Sequence, residues 1–320
     1  MASSLVRNKR TLHDQQAISA SVPHFSVIVA VYNDWGPLEH CLRSLAEQVN
    51  VPPFELIIVD DGSEETVPES ISAWRSRFPL TVVQQPHAGI AAARNRGVQT
   101  SAGSVFVFTD ADCELQSNCL STLQAALLSF PQHSCFQLHL VSDRSSLIGR
   151  AEELRLMSIQ NQTLQPDGSI RYLNTAGFAI RRSHVSPGAQ LFDPLTQRAE
   201  DTLLLAEFIQ RGELPLFVRD AIVQHTIKLS WHECLFKDMR SAWRESRTYD
   251  RIAAKGVTVR MGDMARVQMM ISMWKTAKEP SIGRMAWFVV VARRTVHRSV
   301  RFIYKALRRF RKPLSEEVSS

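Results

Sequence analysis

Apolar and polar positions come in blocks along residues 24–115. Phe25-Ser26-Val27-Ile28-Val29-Ala30-Val31 is a short apolar run that ends in Tyr32-Asn33-Asp34. Phe54-Glu55-Leu56-Ile57-Ile58-Val59 is a second, closed by Asp60-Asp61-Gly62-Ser63. Leu80-Thr81-Val82-Val83 is a third. Phe106-Val107-Phe108-Thr109 is a fourth, and it stops at Asp110-Ala111-Asp112. Runs this short, rich in β-branched and aromatic side chains, predict strands buried on both faces. Leu38, Leu42 and Leu45, the segment 67–78, and Ala91 to Asn95 fall between them with helical character. Alternating strands and helices predict an α/β fold with a doubly wound, mostly parallel sheet. Ligands of such sheets bind outside the carboxyl ends of the strands. Three of these strands end in acids or other polar residues, so the polar ends should converge on one crevice.

The pattern loosens after residue 115. Gln116 to Phe130 predicts a helix, Cys135 to Val141 a strand, and Arg150 to Thr163 a helix carrying Glu152 and Glu153. Asn174 to Arg182 predicts a strand with a kink at Gly177, and Leu216 to Val223 a further strand followed by His225. Between them Glu200-Asp201 opens an apolar-periodic helix through Leu205. Residues 231–260 predict a helix packed on the domain, with Arg240, Arg244, Arg247 and Arg251 facing solvent or an acceptor. From Arg284 to Lys312 there are ten Lys and Arg and no acids, and Val296, Val300, Ile303, Leu307 and Phe310 share one helical face. The expected organisation is a flexible segment at 1–23, a domain at 24–230 with halves at 24–115 and 116–230, and a helical extension at 231–320 with a basic amphipathic tail.

Composition narrows the class. With 44% hydrophobic residues in 320 the chain can bury a large core. Residues 1–20 lack an apolar signal core, and the five cysteines lack paired metal-site spacing, so reduced thiols and a cytoplasmic location are expected. The run Met285 to Ala292 is far short of the ~20 residues needed to cross a bilayer. The net charge of +7 is concentrated in the tail. A basic helix with an apolar stripe can lie on an anionic membrane surface, which would make the protein peripheral on the inner face of the plasma membrane. The alternative is that the stripe packs on the domain and the charges form a solvated face.

The chemistry starts at Asp110-Ala111-Asp112. Carboxylate oxygens at a strand end can hold Mg²⁺ or Mn²⁺, which can clamp a diphosphate. An Asp-x-Asp pair alone also serves as loop or cap, so its weight comes from its surroundings. Asp60-Asp61-Gly62-Ser63 taken alone is equally a turn with a helix cap. Glu200 and Asp201 could merely complement a helix dipole. Either could instead take the proton of a weakly nucleophilic hydroxyl.

Ser26 to Asn33, Glu55 to Ser63, Gly89 to Gly97 with Ala93-Arg94-Asn95, and Asp110-Ala111-Asp112 together resemble the family 2 glycosyltransferases of GT-A fold, in the family's order and spacing. The resemblance covers roughly residues 24–230. One departure is Ala30, where the family often has proline. The resemblance implies an inverting transfer from a nucleotide sugar, UDP-linked by preference, to a glycan or lipid-linked acceptor, with Mn²⁺ or Mg²⁺ as cofactor. It implies that Tyr32 stacks under the base beside Asn33, and that Asp61, with Asp60, bonds uracil. Arg94 would lie near the diphosphate, Asp110 near the ribose and metal, and Asp112 on the metal. Asp201 would be the general base, paired with Glu200. His225 would return to the metal, although a lone histidine beside a strand is as readily an ordinary satisfied residue; His87 is a weaker candidate near the diphosphate. The Gln-x-x-Arg-Trp of processive synthases is replaced by Trp243-Arg244 in the opposite order, which argues against processivity.

Three rivals fit less well. A sugar nucleotidyltransferase needs a Gly-rich basic loop after the first strand, where this chain has Tyr32-Asn33-Asp34-Trp35-Gly36. A nucleic-acid-binding module built on the tail would need spaced aromatics, so no nucleic-acid partner is expected. A catalytically dead scaffold is at odds with acids at the strand ends.

Overall fold

The computed structural model describes residues 24–226, 230–259 and 262–311. The expected flexible segment 1–23 and the end of the tail from Lys312 lie outside the described residues, as do the side chains of Arg309, Phe310 and Arg311.

Four strands, β1 (Phe25–Val31), β2 (Phe54–Asp60), β3 (Leu80–Gln84) and β4 (Val105–Asp110), form a parallel sheet in the order β3-β2-β1-β4. Side chains alternate across it as strand geometry requires. Val27, Val29 and Val31 face α1 (Trp35–Ala46) through Leu38 and Leu42. Ile28, Phe106 and Phe108 face α3 (Ile90–Thr100) on the other side, through Ala91 and Ala93. Gly97 of α3 lies over Ile28, where an added Cβ would stand 2.4 Å from a methyl carbon, so the helix can approach the sheet only with glycine there.

The expected helix at 67–78 is only a short α2 (Glu69–Ala73) with a 3₁₀ turn at Trp74–Ser76. The Trp74 indole donates to Glu39 and Arg75 donates to the Leu80 carbonyl, drawing the chain out of helical register before Pro79.

Beyond β4 the sheet becomes mixed. Its order continues β4-β7-β6-β8-β5, with β5 (Cys113–Leu115), β6 (Cys135–Ser142), β7 (Phe178–Arg181) and β8 (Leu216–His225). The expected strand at 174–182 shrinks to β7, because the Asn174 side chain accepts from Ala176 N–H and folds Thr175–Gly177 into a 3₁₀ turn. β5 is too short to carry a periodic pattern, and it exists because it pairs antiparallel with β8. His225 is the last residue of β8 rather than a residue beyond the strand. Helices α4 (Cys119–Ser129), α5 (Leu147–Thr163) and α6 (Glu200–Gln210) flank this half, and α6 adds Leu204, Leu205 and Phe208 to the core around Phe178.

The C-terminal region is three helices: α7 (Trp231–Ala254), α8 (Asp263–Thr276) and α9 (Arg284–Arg311). A Ser230–Glu233 capping box starts α7, and α8 was not anticipated from the chain pattern. Met269 and Met273 of α8 and Ala286, Val289 and Val290 of α9 bury against Ala151 and Leu154 of α5. The basic helix does not leave its charges as a uniform solvated face. Arg293 meets Asp238 at 2.7 Å and Glu152 at 3.3 Å, Arg301 meets Glu245 at 2.7 Å, and Arg308 pairs with Asp250. Its stripe is split: Val296 and Val300 are half-buried, while Ile303 and Leu307 are exposed. The five cysteines are free and buried, and no described helix is long and apolar enough to cross a membrane.

Candidate active site

The ends of β1, β2 and β4 meet on one edge of the sheet. Beyond β1, Asn33 takes a left-handed conformation at φ 59°, which asparagine tolerates better than most side chains. It ties two strand ends together: its N–H donates to Ser63 Oγ at 2.9 Å and its Oδ1 accepts from Glu64 N–H at 2.8 Å. Asp60 accepts from Ser63 N–H and Gln84, and Asp61 accepts from Gln85 and from the N–H groups of Ala88 and Gly89. Both acids are nearly inaccessible, at 2% and 3% exposure. Their hydrogen bonds shape the loops at the ends of β1 and β2. Tyr32 is different. Its ring is 42% exposed and tilts against His87 with centroids 4.4 Å apart, leaving an open aromatic face.

Arg94 lies at the same sheet edge, beside Asp110. Expected near a diphosphate, it is 2% exposed and lies between two carboxylates. Nη2 donates to Asp110 Oδ1 at 2.7 Å and Nη1 to Glu200 Oε1 at 2.5 Å. Those two acids hold its pKa above the ordinary value against the opposing effect of burial. Arg94 therefore joins the end of β4 to the start of α6, and Glu200, 6% exposed, is committed to it.

Asp201 is the member of the acid pair that Arg94 does not engage. α6 starts abruptly from Ala199, which is left-handed at φ 62° without being glycine. Such a conformation costs energy and persists where the surroundings enforce it. Here α7 supplies the enforcement: Thr248 Oγ1 donates to the Arg198 carbonyl at 2.7 Å, and Arg251 donates to Thr196 Oγ1 at 3.1 Å and pairs with Asp193. Arg251, expected to face solvent or an acceptor, is thus a brace for the loop. Asp201 Oδ1 accepts from the N–H and hydroxyl of Thr202, and Oδ2 carries no hydrogen bond among the described residues. The residue keeps some surface on the cleft. Burial, and next the charge of Glu200, pushes its pKa up to about 7.

Asp112 and His225 meet through sheet pairing. β5 and β8 pair Cys113 with His225, and Thr226 N–H donates to the Asp112 carbonyl at 3.0 Å. That register sets His225 Nε2 2.9 Å from Asp112 Oδ2. Burial disfavours both charges, but the bond between them prevails, holding Asp112 below the usual carboxylate range and His225 above the usual imidazole range. Asp34, which the sequence reading quoted only as a strand end, is a further member. Burial raises its pKa first, followed by the charges of Asp112 and Asp110, with Lys237 of α7 opposing them.

A metal ion fits this donor set chemically. Among the described residues no three His, Cys, Asp or Glu side chains are placed together to hold a metal ion. Asp110, Asp112 and Asp34 nevertheless crowd negative charge at one sheet edge, and hard oxygen ligands with one imidazole suit Mn²⁺ or Mg²⁺.

A cleft of about 2050 Å³ holds these groups together. Asp34, Asp110, Asp112, His225, Glu200 and Asp201 line it, as do Glu152, Arg155 and Tyr172 from the second half of the domain. Tyr32, Asn33, Asp60 and Asp61 frame the adjoining loops rather than its walls. The roles of Lys237, Arg155 and Tyr172 were not legible in the sequence, because each reaches the cleft from an element distant in the chain and none sits in a motif.

A parallel α/β half whose acidic strand ends open onto a helix-started acid pair defines a nucleotide-binding fold of GT-A type. The chain belongs to the family described as glycosyl transferase family 2, whose profile matches residues 26–186. Among curated proteins, the glycosyltransferase YibD of Escherichia coli is 32% identical over 109 residues, covering 34% of this chain and 31% of that protein. Glycosyltransferase AglE of Haloferax volcanii is 28% identical over 99 residues, covering 30% of this chain and 33% of that protein. These matches thus span about a third of each curated relative. Solved structures share the fold over far more of the chain. The mannosyltransferase PcManGT of Pyrobaculum calidifontis, in complex with GDP-Man and Mn²⁺, has a TM-score of 0.59 at 15% identity and covers 95% of both chains. TarS 1–349 of S. aureus, in complex with UDP-GlcNAc, has a TM-score of 0.51 at 17% identity, covering 89% of this chain and 91% of that one. The matches support neither the nucleotidyltransferase nor the nucleic-acid-binding alternative.

Proposed function

We propose that the protein is an inverting, metal-dependent glycosyltransferase that moves a sugar from a nucleotide sugar, UDP-linked by preference, to a hydroxyl of a glycan or lipid-linked acceptor. The observation that carries the reading is the convergence of Asp112, His225, Asp110 and Asp201 on one cleft. In this reading Asp201 accepts the acceptor's proton through Oδ2 as the hydroxyl attacks the anomeric carbon. A pKa near 7 suits a general base at neutral pH. A single base with no neighbouring nucleophile in hand favours one displacement with inversion. Asp112 and His225, with Asp110 beside them, would hold Mn²⁺ or Mg²⁺, which supplies Lewis-acid neutralisation of the leaving diphosphate. Arg94 acts as a positioning residue that keeps the donor-side strand and the base-bearing helix in register. Tyr32 offers its exposed ring to the base. The nucleotide sugars carried by the solved structures of shared fold support a donor of this kind.

The domain division at 24–230, followed by a helical extension, belongs to the same reading. The extension braces the base through Thr248 and Arg251. Exposed Phe302, Ile303 and Leu307 on α9 support contact of residues 284–312 with an anionic membrane surface, as a peripheral protein on the cytoplasmic face. The test of the donor site is thermal stabilisation by UDP, GDP and their sugars with Mn²⁺, Mg²⁺ or EDTA. A ligand bound to the folded state raises the melting temperature. Metal-dependent stabilisation by UDP, lost in Asp112→Ala, is expected; no shift with any nucleotide would sink the donor reading.

A further inference from the structure

Three arginines of α9, Arg293, Arg301 and Arg308, meet carboxylates. Arg294 meets none among the described residues. Its neighbour Arg293 bonds Asp238 and Glu152, and about two and four turns further on Arg301 and Arg308 have Glu245 and Asp250. Arg294 Nη1 lies 3.2 Å from Met270 Sδ and Nη2 3.6 Å from Met269 Sδ, and thioether sulfur is a weak acceptor. The guanidinium stays charged at any physiological pH, so its placement is costly. Burial lowers its pKa, and repulsion from Arg155, Arg298 and Arg266 lowers it further. Arg298 lies one turn along the same helical face and makes no ion pair among the described residues. Both line the cleft that contains Asp201. The same cleft also has exposed apolar walls: Val267 and Ile271 of α8 and Phe288 of α9 line it while remaining 55%, 52% and 51% exposed.

A half-buried guanidinium at Arg294 with no carboxylate among the described residues, an exposed one at Arg298, and exposed hydrocarbon in the same cleft match one kind of molecule. We infer that the cleft takes an amphiphilic acceptor bearing a phosphoryl group. The phosphate oxygens bind Arg294 and Arg298, the hydrocarbon portion lies on Val267, Ile271 and Phe288, and the hydroxyl-bearing end faces Asp201. Arginine suits this duty because its planar fork bonds two phosphate oxygens at once. An uncharged glycan would leave the arginines uncompensated, and a hydrophilic phosphate would leave the apolar walls uncovered. The placement of the hydroxyl end rests on the glycosyltransferase reading; the phosphate and hydrocarbon contacts do not.

The test measures binding to the full chain by calorimetry with decyl phosphate below its micelle concentration, inorganic phosphate, and uncharged decyl glucoside. Decyl phosphate should bind best of the three. Arg294→Met and Arg298→Gln should each weaken it about tenfold or more, the scale of a lost charge-assisted hydrogen bond. Ile271→Ser should weaken decyl phosphate and leave inorganic phosphate unchanged. A second readout separates ligand binding from a structural role: Arg294→Met removes a repelled charge, so its melting temperature should equal or exceed that of the wild type. Equal binding by wild type and Arg294→Met would overturn the phosphate assignment, as would a large fall in that variant's melting temperature with binding intact. Inorganic phosphate or decyl glucoside binding as tightly as decyl phosphate would overturn the amphiphile. UDP with Mn²⁺ serves as the separate arm. Wild type that binds decyl phosphate but shows no UDP shift keeps this site and loses the glycosyltransferase reading; a UDP shift without decyl phosphate binding does the reverse.

Discussion

Asp201 and Asp238 are both enclosed carboxylates, and the protein treats them in opposite ways. Asp201 sits in the catalytic half at the start of α6, where burial and Glu200 push its pKa up to about 7. Asp238 sits on α7 in the helical half, where burial is outweighed by bonds from His297 and Arg293 that bring its pKa down to about 2. One acid is kept uneasy in its charge; the other is fully paid in partners. The contrast extends to the two regions. Around the sheet edge, acids crowd one another and strained backbone is retained at Ala199. Among the C-terminal helices, most acids have arginines, and the arrangement serves cohesion. Sites that do chemistry hold groups in poorly satisfied states, and the packing around them carries the cost.

The strongest way to break the comparison is Asp201→Asn. The variant keeps the shape and loses the base, so transfer should fall by roughly 10²–10⁴-fold while nucleotide binding persists, read as product formation beside a thermal shift with UDP. Near-normal turnover would move the base elsewhere. Next is Arg94→Met, which leaves buried Glu200 and half-exposed Asp110 without their cation. A loss of about 3–5 kcal/mol in urea unfolding is expected, together with lost transfer. A loss under about 1 kcal/mol would mean that the buried network does not bind the two halves of the site.

Smaller effects appear with pH, and their signs differ between the regions. The raised Asp201 pKa contributes stability that is full below about pH 4, the unfolded value, and is lost as pH rises through about 7. The depressed Asp238 pKa contributes stability that is present above about pH 4 and lost as pH falls toward 2. Urea midpoints followed from pH 2 to 8 should show Asp201→Asn flattening the upper window and Asp238→Asn the lower one. Transfer itself should decline about tenfold per pH unit below 7 as Asp201 takes up its proton. The smallest effect concerns strain. Ala199→Gly should raise stability by up to roughly 1 kcal/mol, since glycine adopts positive φ without the Cβ clash, at some cost in rate from a looser base. A lower melting temperature would show that Ala199 is not strained in the way its φ implies.

Much of the site's chemistry was visible in linear order. Asp110, Asp112, Glu200 and Asp201 each stand at the end or start of a periodic element, and a strand end or helix start in an α/β protein is where ligands meet the chain. The partnerships were not visible. Arg94 reads as a diphosphate contact because it stands in a glycine-bounded helix; 106 residues separate it from Glu200, the acid it bonds. Arg251 reads as a surface residue of a charged helix, yet it braces a loop that lies 58 residues earlier at Asp193. The α8 helix escaped because its pattern has meaning only against α5 and α9, which cover Met269 and Met273.

The amino-acid sequence by itself determined the parallel sheet from β1 to β4, the polar strand ends, the acid pair at Glu200 and Asp201, and the basic character of α9. Those follow from local preferences: β-branched runs extend, periodic leucines coil, and acids end strands wherever water or a ligand must be met. Tertiary structure alone decided which of the two acids meets Arg94 and which keeps an unengaged carboxylate oxygen among the described residues. It decided that Asp112 faces His225, that Arg293, Arg301 and Arg308 of α9 meet carboxylates, and that Arg294 meets none among the described residues. Charge and hydrogen-bond partnerships depend on distances across the fold, and a linear pattern records only which groups are available to make them.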